Sequence, residues 1–500
     1  MELAGEGEQY VQRYVAKMNT KGLLPCIAAD IWSENGVSLF AILAYWIDDD
    51  YVPVELMIDC IPFGHVRHTG SNIEVAMKTS LAHMGVGLYE RNDNGDVILD
   101  TVGDNIHRSN TDSASSMMKA TKDVDGHECI VHLCALAFAA FYDHEFIVSV
   151  KNKLKGLAAH FSRSNVAKKA LSDVMLKLGM RVNMPPKASE TRWNGMADLF
   201  SYFSEYHKAI SAYDVIRLTE AGTAVDNPDG STYGDHQLDI FDWDVVHQCV
   251  PVMEMAQFFT TKMQETNQPT ASLIMPYVSV LIQSFAPTTP VKSGNVTLKL
   301  VAKVAGARDS LHQDLCERFF TNMQHCKVED FAVATLLDPR YKHLQLPLLT
   351  CWMNGTFSKG KATSFFRTAY ANHSPPAPLQ AVEVAPVVVE KVITGMEMAF
   401  MELSAGTEQA PSGVHELDEF ETYLNMHPAP VTTDILAWWR NNEDKLPTLA
   451  KMFRQFLALP ASTAGVERLF SGCGRMHDDF KKATQEKTLK HACMARYAPI

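Results

Sequence analysis

The 500-residue sequence lacks three features: closely paired cysteines, a long apolar run and an excess of basic residues. Its ten cysteines are scattered, with no C-x-x-C pair and no secretory leader, which predicts reduced thiols in an intracellular protein. The longest apolar run, 129–142, has 14 residues, so it is too short to cross a bilayer and predicts a buried helix. The net charge of −13 argues against nonspecific coating of nucleic acid.

One segment is basic in spite of the overall charge. Residues 149–170 contain no acid and six lysines or arginines. The sequence leaves two interpretations open: a solvated helix face, or a surface that follows a phosphate backbone.

The apolar periodicity changes from helical to strand-like after about twenty residues. Helical spacing predicts an N-terminal helix over 1–20 with an inward face formed by Tyr10, Val11, Tyr14, Val15 and Met18. Three short apolar runs separated by polar turns predict sequential antiparallel strands at 23–32, 36–48 and 52–61. Helical spacing with a glycine stop predicts a helix over 72–85, and 95–105 is predicted as a further strand.

Beyond residue 193 the pattern is helical for more than two hundred residues. Breaks rich in proline or glycine predict turns and flexible connections at 226–235, 286–294, 374–390 and 404–413. Strands followed by helices predict the α/β or α+β class.

Three acids stand out at element boundaries. Asp30 ends the first predicted strand, where α/β folds place ligands. Asp112 lies at a second junction, where it could be functional or could cap the helix that follows. Glu467 flanks a predicted helix whose apolar stripe is Val466, Leu469, Phe470 and Cys473.

The stretch "HECIVHLC" offers four zinc ligands: His127, Cys129, His132 and Cys134. In a helix, Cys129 and His132 share one face and the other two lie on the opposite face. Because structural zinc needs four converging ligands, no structural zinc is expected.

Five segments together resemble the hAT (hobo–Activator) transposase superfamily. They are "AADIWSENGVSLFAILAYWID", "NTDSASSMMKA" followed by "CIVHLCAL", "ETRWNG", "LLDPRYK" and "LPASTAGVERLFSGCGR", in that order. No single segment is specific, but the five in order cover about residues 20 to 495. The closing segment resembles the hAT C-terminal dimerisation region.

The resemblance implies an RNase H-like catalytic core interrupted by a large all-α insertion. The implied domains are an N-terminal helix (1–20), the first part of the core (21–194), a helical insertion with Pro-rich linkers (195–413) and a dimerisation region that completes the core (414–500). Asp30, Asp112 and Glu467 would then form a DDE-type triad, with Glu467 returned after 467 − 112 = 355 residues. Carboxylate oxygens select Mg²⁺ or Mn²⁺, and two such ions support phosphodiester cleavage.

The resemblance also implies roles beside the triad. Cys129 and His132 match a Cys-x-x-His element that contacts DNA ends or supports the acids. Arg192 and Trp193 match an Arg-Trp element, in which the aromatic ring could stack on a flipped base or could simply be buried. In "LLDPRYK" we expect a structural salt bridge involving Asp338, Arg340 and Lys342 rather than chemistry.

Two functions from different classes follow. The three acids favour a nuclear, hAT-like transposase that cleaves and transfers DNA strands and has DNA and a second copy as partners, with no membrane. The alternative is a domesticated, non-catalytic protein that dimerises and binds DNA or chromatin. It is favoured by the acidic charge and by the lack, in residues 1–29, of the BED-type zinc finger that family members carry.

The last hundred residues predict self-association. Pro447 can open a helix with the apolar stripe Leu446, Leu449, Ala450, Phe453, Phe456 and Leu457. Trp438 and Trp439 precede it, and large aromatic residues are enriched at interface anchors. We expect the stripe to pack inward and the tryptophans to face a partner.

Overall fold

The computed structural model describes most of the chain: residues 2–19, 24–34, 36–86, 89–99, 101–102, 106–124, 126–187, 194–219, 233–321, 327–343, 347–373, 418–476, 488 and 490–493. These residues form two compact units. The first unit comprises 1–133, 262–279 and 320–500, and the second comprises 134–261 and 280–319. The predicted domain boundaries remain a prediction.

A mixed five-stranded sheet organises the first unit, with the strand order β3-β2-β1-β4-β5. β1 pairs antiparallel with β2, and β2 with β3, whereas β4 runs parallel to both β1 and β5. The strands are β1 Cys26–Glu34, β2 Val37–Ile47, β3 Pro53–Pro62, β4 Arg108–Thr111 and β5 Gly126–Glu128.

Helices of the first unit precede, connect and follow these strands. α2 begins after Thr69, whose hydroxyl caps the Asn72 N–H, and it ends at Gly85, which has a φ of 75° that glycine tolerates. The helices are α1 Glu2–Asn19, α2 Gly70–Met84, α3 Ser115–Ala120, the start of α4 Ile130–Asp143, α12 Val328–Leu336, α13 Trp352–Gly355, α14 Lys359–His373, α15 Glu419–Asn425, α16 Ile435–Asn442, α17 Pro447–Phe456 and α18 Ala464–Met476.

The second unit is helical in its described part, apart from a short hairpin. The hairpin consists of β6 Lys292–Ser293 and β7 Val296–Thr297. The helices are the rest of α4, α5 Val148–Arg163, α6 Asn165–Lys177, α7 Gly195–Glu205, α8 His207–Thr219, most of α9 Ile240–Met263, the second half of α10 Ile274–Phe285 and α11 Ala302–Cys316.

β2 is buried along its whole length because helices cover both of its faces. Neighbouring residues on a strand point to opposite faces. The ring of Trp46 packs against Tyr14 of α1 at 5.7 Å between centroids. The other face is the one on which Glu55 of β3 lies, paired with Tyr45 of β2. A Cβ at Gly465 of α18 would lie 2.7 Å from Glu55 Oε2, so this glycine allows α18 to approach the sheet closely.

The mixed α+β class is confirmed, as are the first three strands and the helix at 72–85. The N-terminal helix is also confirmed, with Val11, Val15 and Met18 buried. The predicted strand at 95–105 is wrong for its described residues, which form only an isolated bridge between Arg91 and Val97 and then a helical turn.

No single helix in the described part of the chain is both long and apolar enough to cross a bilayer. The helices α4 and α5 reach that length and composition only when taken together, across a bend of 94°.

Candidate active site

The parallel pairing of β1 with β4 places two aspartates side by side. The last paired residues are Ala29 and Thr111, and Asp30 and Asp112 follow them directly. Because the two strands run in the same direction and in register, the two acids occupy adjacent positions. The prediction that Asp30 ends its strand is wrong, since β1 continues in antiparallel pairing as far as Glu34.

Asp112 shapes the turn that leads into α3. Its Oδ1 accepts a hydrogen bond from the N–H of Ala114 at 3.2 Å. Ala114 is itself the N-cap of α3 and provides no side-chain hydrogen bond. Asp112 therefore orders the approach to the helix without capping it, and its second carboxylate oxygen forms no hydrogen bond with the described residues.

α18 carries the third acid to the same face of the sheet. Asp30 and Trp32 are two residues apart on β1, so they point to one face. The Trp32 ring stacks on Phe470 of α18, with centroids 6.2 Å apart and planes 20° from parallel. Glu467 lies about one helical turn before Phe470 and thus near the position of Asp30.

The three carboxylates form one electrostatically coupled group. The pKa of Asp30 is raised to about 7, mainly by burial and then by the charge of Asp112, while the Ile31 N–H at 2.7 Å lowers it. The pKa of Glu467 is raised to about 8, mainly by burial and then by the charge of Asp30, against the effect of Arg468. Asp30 therefore interacts with both of the other acids.

The segment before α18, residues 459–463, is fixed by hydrogen bonds to distant parts of the first unit. These partners could not be predicted from the sequence, because the Ser-Thr pair indicates only that a helix starts here and not which residues it contacts. The bonds join Asn110 Nδ2 to Pro460 O (2.6 Å), Ile130 N to Ala461 O (3.1 Å), Ala461 N to Thr270 Oγ1 (2.9 Å) and Ser462 Oγ to Met263 O (3.1 Å).

The buried thiol of Cys129 belongs to the same set of contacts. Its Sγ accepts hydrogen bonds from the Thr463 N–H at 3.4 Å, the Thr463 hydroxyl at 3.5 Å and the His132 N–H at 3.3 Å. Burial raises the pKa of this thiol to about 11. These contacts are those of a residue that supports the start of α18, which is one of the two roles implied for the Cys-x-x-His element.

The remaining candidate residues fall in different places. His132 is half-buried in the first turn of α4. Arg192 and Trp193 lie outside the described residues, so their roles remain predictions. His127 lies on β5 rather than on a helix, and its Nε2 is 3.1 Å from Asp330 Oδ2.

The "LLDPRYK" segment forms the predicted structural salt bridge between Asp338 and Arg340, but the prediction that Lys342 takes part in it is wrong. Arg340 binds both oxygens of the buried Asp338, at 2.9 Å and 2.7 Å. Ser272 Oγ donates to the same carboxylate at 2.8 Å. Lys342 Nζ donates to the Tyr423 carbonyl at 2.7 Å, and burial lowers the pKa of this lysine to about 7.

The expected outward orientation of Trp438 and Trp439 is wrong for the single chain. Trp438 is 9% exposed and Trp439 is fully buried. Trp439 Nε1 donates to the Leu337 carbonyl at 3.0 Å, and its ring stacks on Phe453 of α17 at 5.2 Å. The apolar stripe of α17 is buried as predicted, so the tryptophans complete an internal core.

Several cations of the basic segment 149–170 have acidic partners within the second unit. Lys151 pairs with Asp143, and Lys153 Nζ lies 2.6 Å from Asp242 Oδ2. Lys169 reaches Asp173 at 3.8 Å. These ion pairs count against a surface that follows a phosphate backbone, but Lys151 is buried, so the solvated-face interpretation fits only the exposed Lys169 among the three.

Comparison with known proteins adds an independent finding. Residues 419–497 match the hAT family C-terminal dimerisation region. The chain is 36% identical over 83 residues to the Zinc finger BED domain-containing protein DAYSLEEPER of Arabidopsis thaliana. The aligned region covers 16% of this chain and 12% of that protein. It is 27% identical over 168 residues to the protein named Putative AC transposase of Zea mays, covering 30% of this chain and 19% of that protein.

A third relative has the longest aligned region of the three. The Zinc finger BED domain-containing protein RICESLEEPER 1 of Oryza sativa subsp. japonica is 26% identical over 209 residues, covering 37% of this chain and 28% of that protein. The chain thus spans less than a third of the length of each of these relatives.

Proposed function

We propose that the chain, which belongs to the hAT superfamily, is a transposase or transposase-derived protein of the DDE type. In this proposal Asp30, Asp112 and Glu467 hold Mg²⁺ or Mn²⁺ for DNA strand cleavage and transfer, and the protein acts in the nucleus. The observation that carries the proposal is the coupled group of three carboxylates, assembled from β1, the end of β4 and α18.

The chemistry of these side chains fits divalent cations. The three groups offer hard oxygen ligands, which Mg²⁺ and Mn²⁺ prefer. Burial and mutual repulsion raise the pKa of both Asp30 and Glu467, so a nearby positive charge would stabilise their ionised forms. When bound, paired divalent ions activate the attacking oxygen and stabilise the leaving oxygen of a phosphodiester.

The protein's own contribution is orientation. The parallel register fixes Asp30 and Asp112 on the sheet, and the bonds to 459–463 fix the start of α18. The mixed sheet, with two acids on adjacent parallel strands, supports the RNase H-like core. The described part of 195–413, helical apart from the β6–β7 hairpin, supports the insertion.

Self-association is supported by the match of residues 419–497 to a dimerisation region. Because Trp438 and Trp439 are internal, the contact surface between copies would involve other residues of this region. The alternative function, a non-catalytic dimerising protein that binds DNA or chromatin, is favoured by relatives named for BED zinc fingers.

Metal-dependent nicking of supercoiled plasmid DNA tests the proposal. The wild-type chain should convert plasmid to open circles with Mn²⁺ and lose this activity in EDTA. Glu467→Gln should reduce the rate at least 100-fold while leaving the circular dichroism spectrum unchanged. The matched control is Glu90→Gln, which changes an exposed glutamate that is not one of the three acids.

Two other results would decide against strand cleavage. Equal nicking by the wild type and Glu467→Gln would indicate a contaminating nuclease and remove the support for the triad. DNA binding without nicking under Mg²⁺ or Mn²⁺ would favour the non-catalytic alternative. Mn²⁺ binding, followed by electron paramagnetic resonance, gives a readout that does not depend on knowing the DNA substrate.

A further inference from the structure

Three buried cysteines converge in the first unit, away from the three acids. They are Cys60 on β3, Cys473 on α18 and Cys493 near the end of the chain. Their three Sγ atoms all lie within 4.8 Å of one another, and those of Cys473 and Cys493 are 2.9 Å apart. Each of the three residues is fully buried. No disulfide links any of the cysteines in the described part of the chain.

The fold explains why these sulfurs meet. Asp30 pairs with Ala41, and Ala41 pairs with Cys60, so the three residues form one row across β1, β2 and β3. Residues of one row share a face. That face is covered by α18, where Cys473 lies in the apolar stripe with Phe470.

A salt bridge holds the third cysteine against the edge of the sheet. Lys490 Nζ lies 2.7 Å from Asp59 Oδ1 on β3, the edge strand. Asp59 also accepts a hydrogen bond from Ser80 Oγ at 2.9 Å, so its carboxylate is fixed. The segment 490–493 is thereby fastened beside β3, and Cys493 completes the cluster.

We propose that Cys60, Cys473 and Cys493 form a binding site for one thiophilic metal ion of the Zn²⁺ or Cu⁺ class. Thiolates are the ligands that select these ions, whereas Mg²⁺ and Mn²⁺ prefer oxygen. At a Zn–S distance of about 2.3 Å, sulfurs around a tetrahedral ion are roughly 3.8 Å apart. The three sulfurs would fill three of its four positions and leave the fourth open, so this is not a closed four-ligand structural zinc site of the kind excluded for "HECIVHLC". The three Sγ atoms lie within 4.8 Å of one another, which is compatible with this separation. The Sγ–Sγ distance between Cys473 and Cys493 would have to increase from 2.9 Å by roughly 1 Å, which side-chain rotation allows.

The binding step is an exchange of protons for metal. Each thiol loses its proton as its sulfur binds, so one ion displaces three protons and no electrons are transferred. The residues that form the site come from β3, α18 and the chain terminus. A bound ion would therefore cross-link the end of the dimerisation region to the sheet and stabilise the folded state.

This site is distinct from the carboxylate group. Two strand spacings separate Cys60 from Asp30, which is roughly 10 Å. Along α18, six residues separate Glu467 from Cys473, which is about 9 Å. The proposal therefore stands whether or not the acids catalyse DNA cleavage.

Metal loading of the full chain under reducing conditions tests the site. The chain is stripped with a chelator and incubated anaerobically with Zn²⁺, Cu⁺ or Mg²⁺, and bound metal is measured by mass spectrometry after desalting. We expect one Zn²⁺ or Cu⁺ per chain and no retained Mg²⁺, with competition between the two ions identifying the preferred one. Cd²⁺ should give the ultraviolet charge-transfer band of metal-bound thiolate.

Variants separate the cluster from the other cysteines. Cys493→Ser and Cys60→Ser should each lower the affinity at least 100-fold and abolish the rise in melting temperature on adding Zn²⁺. Cys26→Ser is the matched control, because Cys26 is a fully buried thiol on β1 outside the cluster. Asp30→Asn should retain full thiophilic metal binding, which distinguishes this site from the carboxylates.

Three results would overturn the proposal. The first is a reduced, folded wild-type chain that binds neither ion at micromolar concentration. The second is stoichiometric binding that survives in both cluster variants. The third is a Cys473–Cys493 disulfide in protein isolated under non-reducing conditions and resistant to mild reductant, which peptide mapping would reveal.

Discussion

Replacement of Asp30 by asparagine should stabilise the metal-free protein at high pH. The pKa of Asp30 is about 7 in the folded chain against an ordinary 3.8. The folded state therefore holds a proton that the unfolded state loses, and the stability gained from the neutral carboxyl is lost as the pH rises from about 4 to about 7. Asparagine resembles the neutral acid and cannot ionise, so the variant avoids this loss.

The size of the effect follows from the shift. About three pKa units correspond to at most about 4 kcal/mol. Since Asp30 is partly exposed and its shift is shared with two other acids, we expect about 1–3 kcal/mol in favour of Asp30→Asn at pH 8. The two proteins should be nearly equal at pH 4.

The assay is urea denaturation in EDTA at pH 4 and pH 8, followed by tryptophan fluorescence. Asp93→Asn is the matched control, because Asp93 is an exposed aspartate in a turn and should change stability little at either pH. Adding Mg²⁺ should narrow the difference at pH 8 by stabilising the wild type more than the variant. A wild type as stable as Asp30→Asn at pH 8 in EDTA would show that neither burial nor the neighbouring acids disfavour the ionised Asp30 carboxylate.

Two further predictions concern the C-terminal region. Thr463→Val removes the hydroxyl that donates to Cys129 Sγ, and it should lower the free energy of unfolding by about 1 kcal/mol in urea denaturation, whereas no loss would mean that this contact does not hold α18. The chain should elute with a mass of at least twice 55.6 kDa in light scattering, and a monomeric wild type would contradict this expectation. Trp439→Phe should keep the same mass but lower the free energy of unfolding by about 1–3 kcal/mol, because the Trp439 indole donates to an internal carbonyl. A monomeric variant would contradict the internal role of Trp439.

Much of the sheet could be predicted from the sequence because its longest strands have a clear pattern. β1, β2 and β3 are apolar runs of nine to eleven residues bounded by polar turns. β4 and β5, with the sequences "RSNT" and "GHE", are too short and too polar to give any periodicity. Whether such a short segment forms a strand depends on the strands beside it and not on its own sequence. A fourth strand was therefore predicted at 95–105, where the apolar residues Val97, Ile98 and Val102 form no strand.

The candidate acids could be named from the sequence, but their arrangement could not. Nothing local states that Ala29 pairs with Thr111, and this register alone makes Asp30 and Asp112 neighbours. Trp438 and Trp439 could not be assigned from the sequence for a different reason: large aromatic side chains suit an interface and a core equally well. Only the packing of Trp439 on Phe453 decides between them.

The site depends on how Glu467 is held, because 355 residues separate it from Asp112. Closing a flexible loop of that length costs on the order of 5 kcal/mol. The burial of Val466, Leu469 and Phe470 offsets part of this cost, and so do the hydrogen bonds to 459–463, at about 1 kcal/mol each. Those bonds come from β4, the start of α4, the end of α9 and the turn at Thr270, so the third acid is positioned only when these elements have already packed together. Completion of the carboxylate group is therefore coupled to folding of the whole first unit.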